Sequence, residues 1–208
     1  GNRDSTFTTI AINLDQKESV IMNSTLRHYR VKFRSAALIV GFAALLTGCS
    51  SVPIDTYADN QPQFDLTHYF DGNLTAHGII KSRSGQVTRY FNVTITGEWD
   101  SDGVGTLTED FIFDDGERQQ RVWVMTPDGD NNYWAVAGDV KEPAKMALAG
   151  NALFMKYQLL IPYKNRNIYL TVDDRMYAVD EATIINESKL SKFGINLGSI
   201  QLVIIKQY

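Results

Sequence analysis

Polar and apolar residues alternate along most of the chain from residue 73 onward. The clearest run is Val87–Trp99, which puts Phe91, Val93, Ile95 and Trp99 on one face and Tyr90, Asn92, Thr94 and Thr96 on the other. A period of two marks a β-strand with one buried face. Comparable runs at 73–81, 103–113, 117–126, 131–139, 153–161, 166–173, 175–179, 183–187 and 200–206 predict about ten strands in series. Ahead of them, Asp65 is placed to cap a short helical turn, Leu66–Phe70, that stops at Asp71-Gly72. Residues 141–151, with Pro143 among Ala and Gly, read as a loop with at most one helical turn.

The separators are turn dipeptides: Ser84-Gly85, Asp102-Gly103, Asp115-Gly116, Asp128-Gly129 and Lys164-Asn165. Such pairs favour tight hairpins and therefore antiparallel neighbours. A long meander tends to close on itself, because closure removes exposed strand edges. The expected fold is all-β, a single antiparallel up-and-down β-barrel.

One hairpin can be read in register. With Asp115-Gly116 as a two-residue loop, Asp110 faces Arg121 and Glu109 faces Val122. Leu107, Glu109, Phe111, Phe113, Val122 and Val124 then share an apolar face interrupted by one carboxylate. Thr106, Thr108, Asp110, Ile112, Arg121, Trp123 and Met125 take the other face.

The beginning of the chain follows a different pattern. Arg27, Arg30, Lys32 and Arg34 precede an apolar run at 36–46, which ends in Leu46-Thr47-Gly48-Cys49. A basic region, a short apolar region and small residues at a cut site make a secretory signal. The run is shorter than the ~20 residues a transmembrane helix needs. Its last four residues resemble the lipobox of bacterial lipoproteins, in which the cysteine becomes a lipidated N-terminus. The resemblance implies a signal over 22–48, starting at Met22, with 1–21 an upstream extension. A lipidated tether at 49–63 and a barrel domain at 64–208 would follow. Ser50 stands where an aspartate would favour the inner membrane, so the implied location is the outer membrane, facing the periplasm, with Cys49 as the membrane link.

Composition narrows the remainder. The net charge is −4, and the first 49 residues hold six of the 20 basic but only three of the 24 acidic side chains, so the barrel region is more acidic still. That argues against nucleic acid as a partner. Cys49 is the only cysteine, which excludes disulfides and thiol catalysis elsewhere. No dinucleotide, phosphate-loop or Gly-x-Ser-x-Gly motif occurs, and no cofactor is implied. Asp114, Asp115 and Glu117 read as a solvated hairpin tip. Asp128-Gly129-Asp130-Asn131-Asn132 opens like a calcium loop but has Tyr133 where glycine is required. His68 and His77 are too few for a zinc site, so no metal is expected.

Glu109 is the candidate acid/base by environment, since a carboxylate on an apolar face is desolvated and its pKa raised. Asp110 and Arg121 form the expected cross-strand ion pair, structural or an anchor for a ligand head. Phe91, Trp99, Phe111, Phe113, Trp123 and Tyr157 either fill the barrel or line a pocket in it.

Several stretches recur together in order: Phe70-Asp71-Gly72 with Leu74-Thr75-Ala76; Gly97-Glu98-Trp99-Asp100; Thr106-Leu107-x-Glu109-Asp110-Phe111; Asp114-Asp115-Gly116-Glu117-x-Gln119-x-Arg121-x-Trp123; Asp173-Asp174-x-Met176-Tyr177; and Lys192-Phe193-Gly194. They resemble the domain of unknown function 3833 family of proteobacterial lipoproteins. The resemblance spans roughly 64–206 and implies a lipocalin/calycin-like barrel with no assigned chemistry.

Three functions are open at this point. The barrel binds an apolar or amphipathic small molecule such as a fatty acyl lipid; or it is an enzyme acting on such a ligand through Glu109; or it is filled, and serves as a scaffold for a protein partner.

Overall fold

The structure, a computed structural model, describes residues 51–208. The signal, the upstream extension and Cys49 lie outside the described residues.

Ten strands make one closed barrel: β1 (Gly72–Ser82), β2 (Val87–Trp99), β3 (Gly105–Phe113), β4 (Arg118–Pro127), β5 (Asn132–Ala137), β6 (Ala144–Ala149), β7 (Ala152–Tyr163), β8 (Arg166–Ala178), β9 (Thr183–Lys192) and β10 (Ile195–Lys206). Each pairs antiparallel with its neighbour in sequence, and β1 closes the ring on β10. This is the up-and-down barrel the alternation predicts.

Strands expected at 183–187 and 200–206 are longer, Thr183–Lys192 and Ile195–Lys206, and two further assignments change. Residues 144–149, expected as a loop, form β6. Their sequence, Ala-Lys-Met-Ala-Leu-Ala, favours helix locally, but the free edges of β5 and β7 capture it. Residues 166–173 and 175–179, expected as two strands, run as one. The acidic break at Asp173-Asp174 is an alternation of its own. Asp173 pairs with Arg175 at 2.9 Å, while Asp174 is buried.

The hairpin register also shifts. Phe113 N–H donates to Glu117 O, and Gly116 N–H to Phe113 O, both at 3.0 Å. Gly116 alone takes a left-handed φ, +85°. The loop therefore has three residues, a type I turn closed by a left-handed glycine. The same bonding recurs around Gly85 and Gly103. The extra residue moves every β4 side chain by one position. Arg121 faces Glu109, Trp123 faces Leu107, and Asp110 faces Gln120. The expected Asp110–Arg121 pair does not form: Asp110 accepts instead from Gln120 at 2.9 Å, and Val122 turns outward.

A helical segment closes one end. Asp65 accepts from His68 N–H at 2.9 Å and caps α1 (Leu66–Phe70), as its sequence predicts. Phe64 N–H reaches Gly150 O in the β6–β7 turn. Tyr69 Oη donates to Asp180 O at 2.8 Å in the β8–β9 turn. The Phe70 carbonyl lies where a side chain on Gly97 would stand, so only glycine fits there. The segment thus crosses the barrel end and buries Leu66, Tyr69 and Phe70 beneath it.

The stretch read as a tether does more over its described part. Ile54–Tyr57 is a 3-10 turn. The Tyr57 ring meets Phe154 at 5.7 Å and Tyr177 at 5.3 Å. An aromatic with two aromatic partners is an anchor, not a free linker.

Candidate functional site

The barrel is not packed solid. Inward side chains from β1 to β10 and Phe70 of α1 enclose a cavity of about 110 Å³. Its walls are mainly apolar, with Phe91, Phe111, Phe113 and Trp123 on one side and Met125, Met146, Met155 and Met176 around the rest. The three phenylalanines cluster with ring centroids 5.8–6.1 Å apart. Trp123 meets Tyr157 edge-on at 5.4 Å. Of the six aromatics expected to line a pocket, five do. Trp99 does not, because its ring covers Gly105 and packs edge-on against Tyr133.

A polar group interrupts this apolar wall at mid-barrel. Glu109, Arg121, Tyr157, Asp174, Asn186 and Ser188 all face the cavity. The three-residue loop places Glu109 and Arg121 opposite each other, and Ser188 stands opposite Asp174. Asn186 Nδ2 and Ser188 Oγ both donate to Asp174 Oδ1, at 2.6 and 2.8 Å. Arg121 gives Nε and Nη2 to Asp139 Oδ2 at 3.0 and 2.8 Å. Asp139 reaches it from the β5–β6 connection, which is held against β7 by Leu160 N–H on Asp139 O.

Glu109 is the least satisfied member. Its Oε2 lies 4.0 Å from Arg121 Nη1 and, though buried, accepts no hydrogen bond. Burial lifts its carboxyl from 4.5 to about 7; Arg121 and a hydrogen bond from the Trp123 side chain oppose the shift, while Asp174 and Asp139 add to it. Burial raises Asp174 too, against its bonds from Asn186 and Ser188. It also pushes the Tyr157 hydroxyl well above its ordinary value. Burial works against the Arg121 charge, but Asp139, Tyr157 and Glu109 more than offset this and keep it protonated.

Arg89 stands higher on β2, with its guanidinium 3.8 Å over the Phe113 ring. Asp115 and Glu117 hold it at 2.7 and 2.9 Å. The acidic hairpin tip is therefore a clamp on a buried arginine rather than a merely solvated turn. Among the described residues, no group of three or more His, Cys, Asp or Glu side chains is placed to hold a metal ion.

Sequence reasoning missed Arg89, Asp139, Asp174, Asn186 and Ser188. For Arg89, Asn186 and Ser188 the signal was available. Each sits two residues from an inward apolar neighbour, Phe91, Ile184 or Leu190, in strict alternation.

Over residues 43–206 the sequence matches the family described as Protein of unknown function (DUF3833). The chain belongs to this family. A comparison with curated proteins found no match. Among solved structures, this DUF3833 chain is similar to the S-type phycobiliprotein lyase CPES from Guillardia theta. The two share 10% identity over 66% of this chain and 88% of that one, with a TM-score of 0.49. It is also similar to a DUF3598-family protein of unknown function from Nostoc punctiforme PCC 73102. There the identity is 12% over 71% of this chain and 51% of that one, with a TM-score of 0.52. The second likeness shows a shared fold.

Proposed function

We propose that the DUF3833 barrel is a binding module for a small amphipathic molecule, held with its apolar body against the aromatic and methionine walls. The observation that carries this reading is the open cavity at the centre of an otherwise well-packed barrel. Protein interiors are normally close-packed; this space is smaller than the cavity of about 150 Å³ that admits benzene in another protein, so a ligand enters only as the lining side chains give way. Four methionines in the lining allow the space to adapt, since an unbranched thioether changes rotamer at low cost. The open interior favours this reading over that of a filled scaffold.

A second reading has its own observation. A Glu109 carboxyl at about 7 is tuned for proton transfer near neutral pH. In that reading the same cavity holds a substrate, with Glu109 as general acid/base and Arg121 beside it.

The proposed setting is the outer-membrane surface facing the periplasm, with lipid on Cys49 as the anchor. The lipobox-like Leu46-Thr47-Gly48-Cys49 supports it.

Mass spectrometry of small molecules that co-purify with the chain tests the binding reading. A bound amphipathic molecule retained in Glu109→Gln supports a binder. A molecule converted by the native chain but only retained by Glu109→Gln supports the enzyme.

A further inference from the structure

We infer that the ligand of this barrel buries a hydrogen-bond donor, a hydroxyl or an amine, against Glu109, and that the site rejects a buried carboxylate. The inference rests on the barrel being a binding module and names the chemical class it takes.

Four ionisable side chains face the cavity: Glu109, Asp174, Arg121 and Tyr157. Asp139 stands behind Arg121 and takes two of its N–H groups. That leaves one guanidinium among three carboxylates, with Nε and Nη2 committed to Asp139 and Nη1 held 4.0 Å from Glu109. The two donors nearest Asp174, Asn186 Nδ2 and Ser188 Oγ, are both spent on Oδ1. Glu109 Oε2 and Asp139 Oδ1 remain, both buried and without a hydrogen bond, and of the two residues Glu109 is the one that lines the cavity. A buried acceptor left without a donor is a defect that native proteins seldom keep, and the cavity that Glu109 lines gives a ligand donor access to it.

A ligand hydroxyl supplies that donor. A ligand ammonium supplies it and also offsets the excess negative charge. A ligand carboxylate does neither. Above about pH 7, where Glu109 is ionised, it brings a further anion into a low-dielectric space whose one cation is already bonded to Asp139, and like charges at close range resist joint ionisation. The Tyr157 hydroxyl and Arg121 Nη1, which already faces Glu109, are the donors set against that repulsion. A fatty acid would therefore have to keep its head outside this cluster, whereas a long-chain alcohol or amine can lead with it.

The test compares three probes of one chain length, octan-1-ol, octylamine and octanoate, against the full chain at pH 8 by titration calorimetry. Octanol and octylamine are expected to bind, with octanoate at least tenfold weaker. Glu109→Gln keeps the side-chain shape and removes a buried charge, so it should weaken octylamine at least tenfold and strengthen octanoate. Asp174→Asn provides a second variant in which octanoate again gains. Octanoate binding the native chain as tightly as the other two, with no response to either variant, overturns the donor inference while the binding module stands. If none of the three binds, the binding module falls, and this inference with it.

Discussion

Glu109 and Arg121 stand directly opposite each other on β3 and β4, yet they share no hydrogen bond. Glu109 Oε2 is 4.0 Å from Arg121 Nη1, while the arginine turns Nε and Nη2 to Asp139. The guanidinium has chosen one of two buried carboxylates, and the other is left facing the cavity.

Stability should therefore depend on pH in an unusual direction. Burial raises the Glu109 carboxyl from 4.5 to about 7, so the folded chain holds this proton more tightly than the unfolded chain does. The associated stabilisation is complete below about pH 4.5 and is lost as pH rises through about 7, a difference of about 3 kcal/mol. Urea denaturation at pH 4, 6 and 8 should show Glu109→Gln gaining on the native chain as pH rises, with no gain at pH 4. A Glu109→Gln chain that loses stability at pH 8 would mean that Glu109 is charged and well paired.

Arg121 should couple to Asp139 and not to Asp110. Removing one member of a buried pair strands the other, at a cost of about 3 kcal/mol, so Arg121→Ala should destabilise by that order. The double variant Arg121→Ala, Asp139→Ala should recover part of the loss. Arg121→Ala combined with Asp110→Ala should be additive, because Asp110 is exposed and bonded to Gln120. Coupling between Asp110 and Arg121 would restore the two-residue loop and its register.

The α1 closure depends on Gly97. A β-carbon there would fall on the Phe70 carbonyl, backbone that cannot move without lifting α1. Gly97→Ala should cost roughly 1–3 kcal/mol as an overpacked site. It should also speed exchange of the amide protons of Leu66–Phe70. Unchanged exchange would show that α1 does not close the barrel end.

Phe193 is held at φ +50° in the β9–β10 turn, with 91% of its surface exposed. A left-handed conformation costs roughly 1–2 kcal/mol for an ordinary L-residue, and no burial offsets it here. Asn tolerates that region and is favoured before glycine in such hairpins. Phe193→Asn should raise thermal stability by about 1 kcal/mol; a loss instead would mean that the ring contributes to the fold.

Much of the barrel was legible because an inward face leaves a period of two, as in β2, and because Asp65 is a capping residue with an apolar helical turn behind it. Three features were not legible, each for a physical reason. β6 has the composition of a helix and becomes a strand only because two neighbours need an edge covered. The Asp115-Gly116 pair is compatible with two-residue and three-residue loops alike, and that choice decides whether Val122 or Arg121 faces inward. The interior polar cluster left a trace in the alternation of β9, but inward polar residues mimic the end of a strand and mask it. Asp174 was read as a break for that reason, and Asn186 and Ser188 went unnoticed beside it. Glu109 was legible only because it interrupts Leu107, Phe111 and Phe113.

The central claim is that a small amphipathic molecule enters the barrel and lies against its aromatic wall. Of the three tryptophans, Trp123 lines the cavity, whereas Trp99 and Trp134 do not. Titrating the chain with 2-bromo-octan-1-ol, whose bromine lies next to the hydroxyl head and quenches indole fluorescence on contact, reads occupancy directly. Saturable quenching that disappears in Trp123→Phe and persists in Trp134→Phe is the predicted result. Quenching that never saturates, or that survives the loss of Trp123, would contradict a ligand site inside the barrel.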